Sequence, residues 1–246
     1  MEHLQRTHAV FGTTQWTLVG SLRSNDQAVA SAASEALMRT YWPAVYSYLR
    51  GCGQSRHAAA ETTQAFFVDV VIGRGLFDRA EQESGRLRNF ILTALERFRI
   101  DQHRRNQARG GNTTISQEAI EREEQLSRCR TTEHPHDQFT RRWAVASLEE
   151  ALRRCEQHFQ ASGKPGHWRL FERRILAPAA SGGTPPSLGD LLESTGFNDV
   201  AIAAAAVQTV KKRALAILRE VVAETLDDAS QLDDEVAALQ ESLRLS

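Results

Sequence analysis

The sequence predicts an all-α protein built from two small helical domains, and three observations indicate this fold class. Apolar residues recur at helical spacing through most of the chain, whereas the alternating pattern of strands is nearly absent. Capping residues and glycines stand between the periodic segments. The hydrophobic fraction, 41%, is below the usual share and fits small helical domains better than one large core.

The first predicted domain covers residues 11–111 and opens with a short polar and aromatic lead. Its first helix follows the capping residues 24–26 and runs to Arg50, with a kink at Pro43, where proline removes a backbone donor. Glycines at 51 and 53 end that helix, and a second helix begins after Ser55 and ends at Gly73. A loop over 73–85 precedes the third helix, which ends near the glycine pair 110–111.

Residues 112–137 are polar and acidic, and they predict a linker. The second predicted domain covers 138–226: a helix, a turn at 163–166, another helix, and a loop over 178–186. A short helix over 187–194 and a long helix from Asn198 to about Leu226 complete it. Residues 227–246 form an acidic tail.

The charge distribution is uneven although the net charge of the chain is only −1. Residues 86–111 sum to +5 and residues 138–223 to +4, whereas 112–137 sum to −3 and 224–246 to −6. Because charges are screened over about 8 Å in physiological salt, such segments can act separately.

The three cysteines form no CxxC motif, no secretory signal pattern opens the chain, and no apolar run could span a bilayer. We therefore expect a soluble, cytoplasmic protein without membrane contacts.

The third helix carries the clearest candidate for a nucleic-acid interface. Apolar residues of 87–98 form one stripe, and polar residues follow its flank. Seven arginines lie between 86 and 111, against only two acidic residues. Guanidinium groups bind phosphates, and Asn and Thr can reach base edges. The predicted DNA-binding residues of this helix are Arg86, Arg88, Asn89, Thr93, Arg97, Arg104 and Arg105.

A helix-turn-helix is predicted over residues 187–199 and the long helix that follows. Ser187 and Asn198 are suited to cap its two helices, and Gly196 permits the sharp corner between them. The second helix carries a basic cluster suited to backbone phosphates, preceded by polar side chains suited to base edges. The predicted DNA-binding residues here are Gln208, Thr209, Lys211, Lys212 and Arg213.

Taken together, these segments resemble the small, two-domain sigma factors of bacterial RNA polymerase, of the extracytoplasmic-function type. The segments that carry the resemblance are Tyr41–Arg50, Ala59–Phe67, Gly85–Leu92 and Arg109–Gly111. Residues 11–111 resemble sigma region 2, and residues 138–226 more loosely resemble region 4. The second domain departs from the family in the run Ala203–Ala206, because alanine offers a base edge only a methyl group.

The resemblance implies a sigma factor that directs core RNA polymerase to promoters and starts transcription. The basic helix would then bind the −10 element, the helix-turn-helix would bind the −35 element, and the loop 73–85 would receive a flipped base. The implied polymerase-binding residues are Glu61, Thr63, Gln64 and Phe67. The implied partners are core polymerase and promoter DNA, and the resemblance is also compatible with an anti-sigma factor as a partner.

Two alternatives to a promoter-reading sigma factor remain open. The alanine run favours a sigma-like regulator that binds polymerase but reads no promoter. A basic stripe that is only a solvated face would instead indicate an unrelated helical interaction module. No catalytic triad, phosphate-binding loop or dinucleotide fingerprint is present in the sequence, so we predict neither an enzyme nor a cofactor or metal site.

Overall fold

The computed structural model describes residues 21–22, 24–72, 86–108, 133–226 and 228–244, and these residues are helical without a β-strand. The all-α prediction is therefore confirmed for this part of the chain. The helices are α1 (Gln27–Gly51), α2 (Arg56–Phe66), α3 (Leu87–Ala108), α4 (Pro135–Ala161), α5 (Pro165–Phe171), α6 (Ala177–Ser181), α7 (Leu188–Thr195), α8 (Val200–Ala223) and α9 (Leu232–Arg244). Turns of π-helix extend α2 over Phe67–Ile72 and α5 over Glu172–Leu176, and a 3₁₀ turn, Ala229–Gln231, precedes α9.

The helix starts follow the predicted capping residues with one exception. The side chains of Asp26, Ser55 and Ser187 accept backbone N–H groups at the starts of α1, α2 and α7. Asn198 was predicted to cap α8, and that prediction is wrong. Asp199 has the extended backbone of an N-cap residue, and its carboxylate accepts the Ile202 N–H at 2.9 Å.

α1 continues through Pro43 to Gly51, one residue beyond its predicted end at Arg50. Two element boundaries differ more from the sequence prediction. α4 starts at Pro135, three residues before the predicted start of the second domain, because His134 caps the helix and proline suits its first turn. The predicted loop 178–186 is shorter, since its first residues belong to α6, which ends at the left-handed Gly182.

One hydrophobic core joins helices from both predicted domains. α1 packs along α4, and α8 and α9 also pack against α4. The core cluster includes Leu49 of α1, Leu95 of α3, Trp143 of α4, Val221 of α8 and Leu239 of α9. The predicted acidic tail thus contributes a packed helix to the core. The division into two domains stays a prediction, because the helices on both sides of the predicted linker share this core.

Several predicted features lie outside the described residues. These are the lead before residue 21, the loop 73–85, the glycine stop at 110–111 and most of the linker 112–137. Among the described helices, none is long and apolar enough to cross a membrane.

Candidate nucleic-acid interface

α3 has one face in the core and the opposite face in solvent. Leu87, Ile91, Leu95 and Phe98 are almost completely buried. The exposed face carries a polar row that lies within about 80° of arc at 100° per residue. We call this row the α3 polar face, and its members are Asn89, Thr93, Arg97 and Arg104.

Aromatic and polar contacts fix the orientation of α3. The ring of Phe98 meets the ring of Phe66 edge-on, with centroids 5.7 Å apart. The Arg99 guanidinium lies 5.5 Å from the centre of the Tyr48 ring and donates to the Tyr48 hydroxyl at 3.3 Å. At the start of the helix, the Leu87 N–H donates to the Thr225 carbonyl at 3.0 Å. These contacts direct the α3 polar face away from the core.

Arg86 and Arg88, which were predicted to contact DNA, are bonded to an acidic residue of the C-terminal helix. The Arg86 Nε lies 3.0 Å from Oε2 of Glu235. The Arg88 guanidinium donates to both carboxylate oxygens of Glu235. Its Nε donates to Oε1, and its Nη2 donates to Oε2 at 3.1 Å. It also lies 5.3 Å from the centre of the Trp143 ring, which is close enough for a cation–π contact. In this conformation Arg88 is largely buried and Arg86 is half-buried, and neither belongs to the solvent-facing row.

The remaining predicted cations of α3 are exposed. Arg97, Arg104 and Arg105 lie at the surface, and no acidic residue within the described part of the chain pairs with Arg97 or Arg104. Ile100 lies between them on the same face and is 52% exposed. The exposed cations are therefore concentrated in the second half of α3, while Asn89 and Thr93 occupy its first two turns.

α7 and α8 form the predicted helix-turn-helix corner. The Ser187 hydroxyl accepts the Asp190 N–H at 3.2 Å, and the Thr195 hydroxyl donates to the Leu191 carbonyl at 2.6 Å. Gly196 ends α7 with a φ of 81°, in the left-handed region that favours glycine. The chain then turns and enters α8 after Asp199. Local sequence signals are therefore sufficient to explain this corner.

The predicted DNA-binding residues of α8 differ in how available they are. Gln208, Lys211 and Lys212 are exposed. Thr209 is exposed too, but its hydroxyl donates to the Ala205 carbonyl at 2.8 Å. Arg213 is half-buried, and its Nη1 lies 3.4 Å from Oε1 of Glu220. Two lysines and one glutamine are thus the most accessible of these groups.

The alanine run of α8 has a packing role. Ala203 and Ala206 are buried in the core, while Ala205 is on the exposed side of the helix. A small side chain lets α8 approach its neighbours closely at the buried positions. Packing in the core therefore explains two of the four alanines without reference to DNA.

α2 exposes two of the four predicted polymerase-binding residues. Glu61 and Gln64 face solvent, and the Glu61 carboxylate lies 3.2 Å from Nε2 of His57. Thr63 is buried and donates its hydroxyl to the Ala59 carbonyl at 2.7 Å. Phe67 is also buried, and its ring stacks on Trp42 with centroids 5.4 Å apart. Thr63 and Phe67 therefore support the fold, and only Glu61 and Gln64 are available to a partner in this conformation.

Glu150 of α4 is a second buried carboxylate, and neither it nor Glu235 was singled out from the sequence. Arg153 Nη2 and Arg154 Nε donate to its Oε1 at 2.6 and 2.8 Å, and Arg39 Nε lies 3.7 Å from Oε2. Burial raises the pKa of Glu150, but the hydrogen bonds from Arg153 and Arg154 outweigh burial, and the net pKa is lower than usual. The spacing of Glu150 with the two arginines, at i,i+3 and i,i+4, is the signal that could have revealed this cluster.

Searches against protein-family models, curated proteins and solved structures find no match to the chain. Function is therefore inferred from the geometry of this molecule, above all from the α3 polar face and from the exposed Gln208, Lys211 and Lys212 of α8.

Proposed function

We propose that this chain is a sigma factor of the extracytoplasmic-function type, which binds core RNA polymerase and directs it to promoter DNA. The single observation that carries the proposal is the α3 polar face, with Asn89, Thr93, Arg97 and Arg104 on the side opposite the core. A rigid helix with cations in one half and short polar groups in the other fits a nucleic-acid strand. The cations bind phosphates, and Asn or Thr can form hydrogen bonds with bases.

The length of the α3 polar face agrees with this use. Asn89 and Arg104 are fifteen positions apart, which corresponds to about 22 Å along a helix. One strand of a duplex carries about six phosphates over that distance. Arg97 and Arg104 are seven positions apart, or about 10 Å, so they would reach different phosphates. The face is therefore long enough for several independent backbone contacts.

The helix-turn-helix supplies the second proposed DNA contact. Lys211 and Lys212 would bind backbone phosphates, and Gln208 would approach a base edge. We expect Gln208→Ala to change the preferred base at one or two upstream positions, at a cost of about 1–3 kcal/mol if the amide binds adenine in a bidentate manner. Promoter selection with the wild type and the variant measures this preference. An identical upstream preference for both proteins would restrict α8 to backbone contacts.

The proposed polymerase contact is the exposed side of α2. Glu61→Lys reverses an exposed charge without disturbing the core, so it should weaken binding to core polymerase by more than about 1 kcal/mol. Glu156→Lys is the matched control, because Glu156 is an exposed acid on α4. Titration of each labelled variant with core polymerase measures the two dissociation constants. Equal affinity of a folded Glu61→Lys variant and of the control would refute the contact.

Run-off transcription tests the function as a whole. Purified chain and core polymerase are incubated with genomic DNA fragments, and the 5′ ends of the transcripts are mapped. Discrete starts that depend on the chain, with a shared upstream sequence, are the expected result. Binding to core polymerase without such starts would support the sigma-like regulator, which the internal pairing of Arg86 and Arg88 with Glu235 favours. Absence of both would leave a helical interaction module.

A further inference from the structure

The acidic first turn of α9 contacts arginines on both of the proposed DNA-binding helices. Glu235 binds Arg86, which immediately precedes α3, and Arg88 in the first turn of α3. Two residues earlier, the Asp233 carboxylate accepts a hydrogen bond from Nη2 of Arg219, on α8, at 2.6 Å. Three cations from two separate parts of the sequence are therefore paired with one short acidic segment.

The contact of Glu235 is buried rather than superficial. Its side chain is 1% exposed, and that of Arg88 is 13% exposed. Val236 and Leu239 are buried beside it and attach α9 to the core. Buried charges are stable only when they are paired, so the separation of Glu235 from Arg86 and Arg88 requires α9 to move away and admit solvent or another anion. The Asp233–Arg219 pair differs, because the Asp233 side chain is 84% exposed and that of Arg219 is 42% exposed, so this pair can separate without movement of α9.

Carboxylate and phosphate are alternative ligands for the same guanidinium. Both present two oxygens to its planar pair of N–H groups, so one arginine cannot bind both in the same geometry. We propose that α9 competes with the DNA backbone for Arg86 and Arg88, because Glu235 occupies both guanidinium groups until α9 is displaced. This inference rests on the proposed function, since it assigns these arginines to phosphates of bound DNA.

The competition links DNA binding to the docking of α9. A ligand that needs the freed arginines binds the undocked state better, and it shifts the population toward that state. While the docked state predominates, anything that weakens the docking of α9 raises the affinity for DNA by an equal factor. The described conformation is then the state with low affinity for DNA. In this state the α3 polar face is exposed, but Arg86 and Arg88 at the start of α3 are paired with Glu235.

The first test compares two isosteric variants of the full chain. Glu235→Gln removes the buried carboxylate charge, and Asp234→Asn removes an exposed charge from the neighbouring position. Binding to a short random-sequence duplex is measured at several salt concentrations. We expect Glu235→Gln to bind at least about fivefold more tightly than Asp234→Asn, as is typical of coupled sites. Its log–log salt slope should match that of Asp234→Asn, because the same arginines reach phosphates in both complexes once α9 is displaced.

The second test uses the wild-type chain and does not depend on the folding of a variant. Amide hydrogen exchange is followed with and without a saturating concentration of the duplex. Exchange over residues 232–244 should become faster on binding, while exchange over residues 135–161 in α4 should not. Unchanged or slower exchange in α9 would overturn the proposal, even if Glu235→Gln proved too unstable to study.

The outcomes separate this inference from the proposed function. Equal duplex affinity of Glu235→Gln and Asp234→Asn would mean that the Glu235 contact only stabilises the fold. Failure of the wild type and both variants to bind the duplex at low salt would also overturn the competition. In either case run-off transcription with the wild-type chain still decides whether the protein is a sigma factor.

Discussion

Arg86 and Arg88 both bond Glu235 on the distant helix α9, whereas Arg97 and Arg104 are exposed to solvent. The first group has the environment of a structural ion pair. The second has the environment expected of cations that can meet an external phosphate. Single arginines in the basic segment therefore have different roles in this conformation, even though the segment as a whole is strongly basic.

Glu150 should make stability depend on pH in the acidic range. Its pKa is lowered in the folded state, so its contribution is present above about 4.3, the unfolded value, and is lost as the pH falls through the folded value. At neutral pH, Glu150→Gln should reduce the free energy of unfolding by about 1–3 kcal/mol, because charge-assisted hydrogen bonds are lost. Urea unfolding over a series of pH values measures this difference.

Glu149→Gln is the matched control for Glu150→Gln, since Glu149 is the exposed neighbour on the same helix. The control should have nearly wild-type stability at neutral pH. The difference between the two variants should decrease below about pH 4.3, because Glu150 of the wild type is protonated in the unfolded state before it is protonated in the folded state. A difference that stays constant with pH would show that the ionised form of Glu150 is not preferentially stabilised.

Among the elements, α3 and the α7–α8 corner differ in what defines them. α3 is defined by packing, because its apolar stripe is buried and its polar row is left in solvent. The corner is defined by local bonds, namely the Ser187 cap, the left-handed Gly196 and the Asp199 cap. Substitutions in the exposed row of α3 should therefore change DNA affinity, whereas substitutions at the α7–α8 corner should change stability through the backbone conformation.

The double variant Arg97→Ala, Arg104→Ala should lose DNA affinity without loss of stability, because both side chains are exposed. Each lost phosphate contact should reduce the log–log salt slope by about 0.9 on duplex DNA, or about 0.7 on single strands. Promoter binding at a series of salt concentrations measures the slope. Arg56→Ala, Arg142→Ala is the control, since it removes two exposed arginines from other helices. Equal slopes for the two double variants would exclude α3 from the interface.

Gly196→Ala and Gly189→Ala should change stability in opposite directions. At Gly196 a new Cβ has open space, but the positive φ of 81° is unfavourable for alanine, so we expect a loss of about 1–2 kcal/mol. Gly189 is helical, and a Cβ there meets only Ser187 Oγ at 3.6 Å, so alanine should be neutral or stabilise by up to about 1 kcal/mol. Urea unfolding compares them. Equal effects would contradict the left-handed conformation at the corner.

At the scale of the whole molecule, α4 is the helix against which the others assemble. α1, α5, α8 and α9 all pack against it, and a single buried cluster extends from Leu37 to Leu239. Such a core couples the stability of segments that are distant in sequence. It also brings the predicted tail beside the basic helix, and this position makes the competition at Glu235 possible.

Leu95→Ala tests whether the two predicted domains unfold together. Leu95 is fully buried in α3, so its truncation should cost about 2–5 kcal/mol. If the core is one cooperative unit, the slowest amides of α8 should exchange faster by the same free energy. Leu215→Ala, at a position that is 49% exposed, should change stability by about 0.5 kcal/mol or less. Faster exchange in α3 but not in α8 would instead support independent domains.

The sequence by itself determined the helical class, the starts of α1, α2 and α7, and the two faces of α3. These features depend on local bonds and on the period of the apolar residues, as the caps at Asp26, Ser55 and Ser187 illustrate. Only the tertiary structure decided which predicted site residues are available. Thr63 and Phe67 are buried, and Arg88 is paired with Glu235, which is 147 residues away in the chain. The physical reason is that burial and ion pairing depend on neighbours in space, and local sequence patterns do not specify which distant segments become those neighbours.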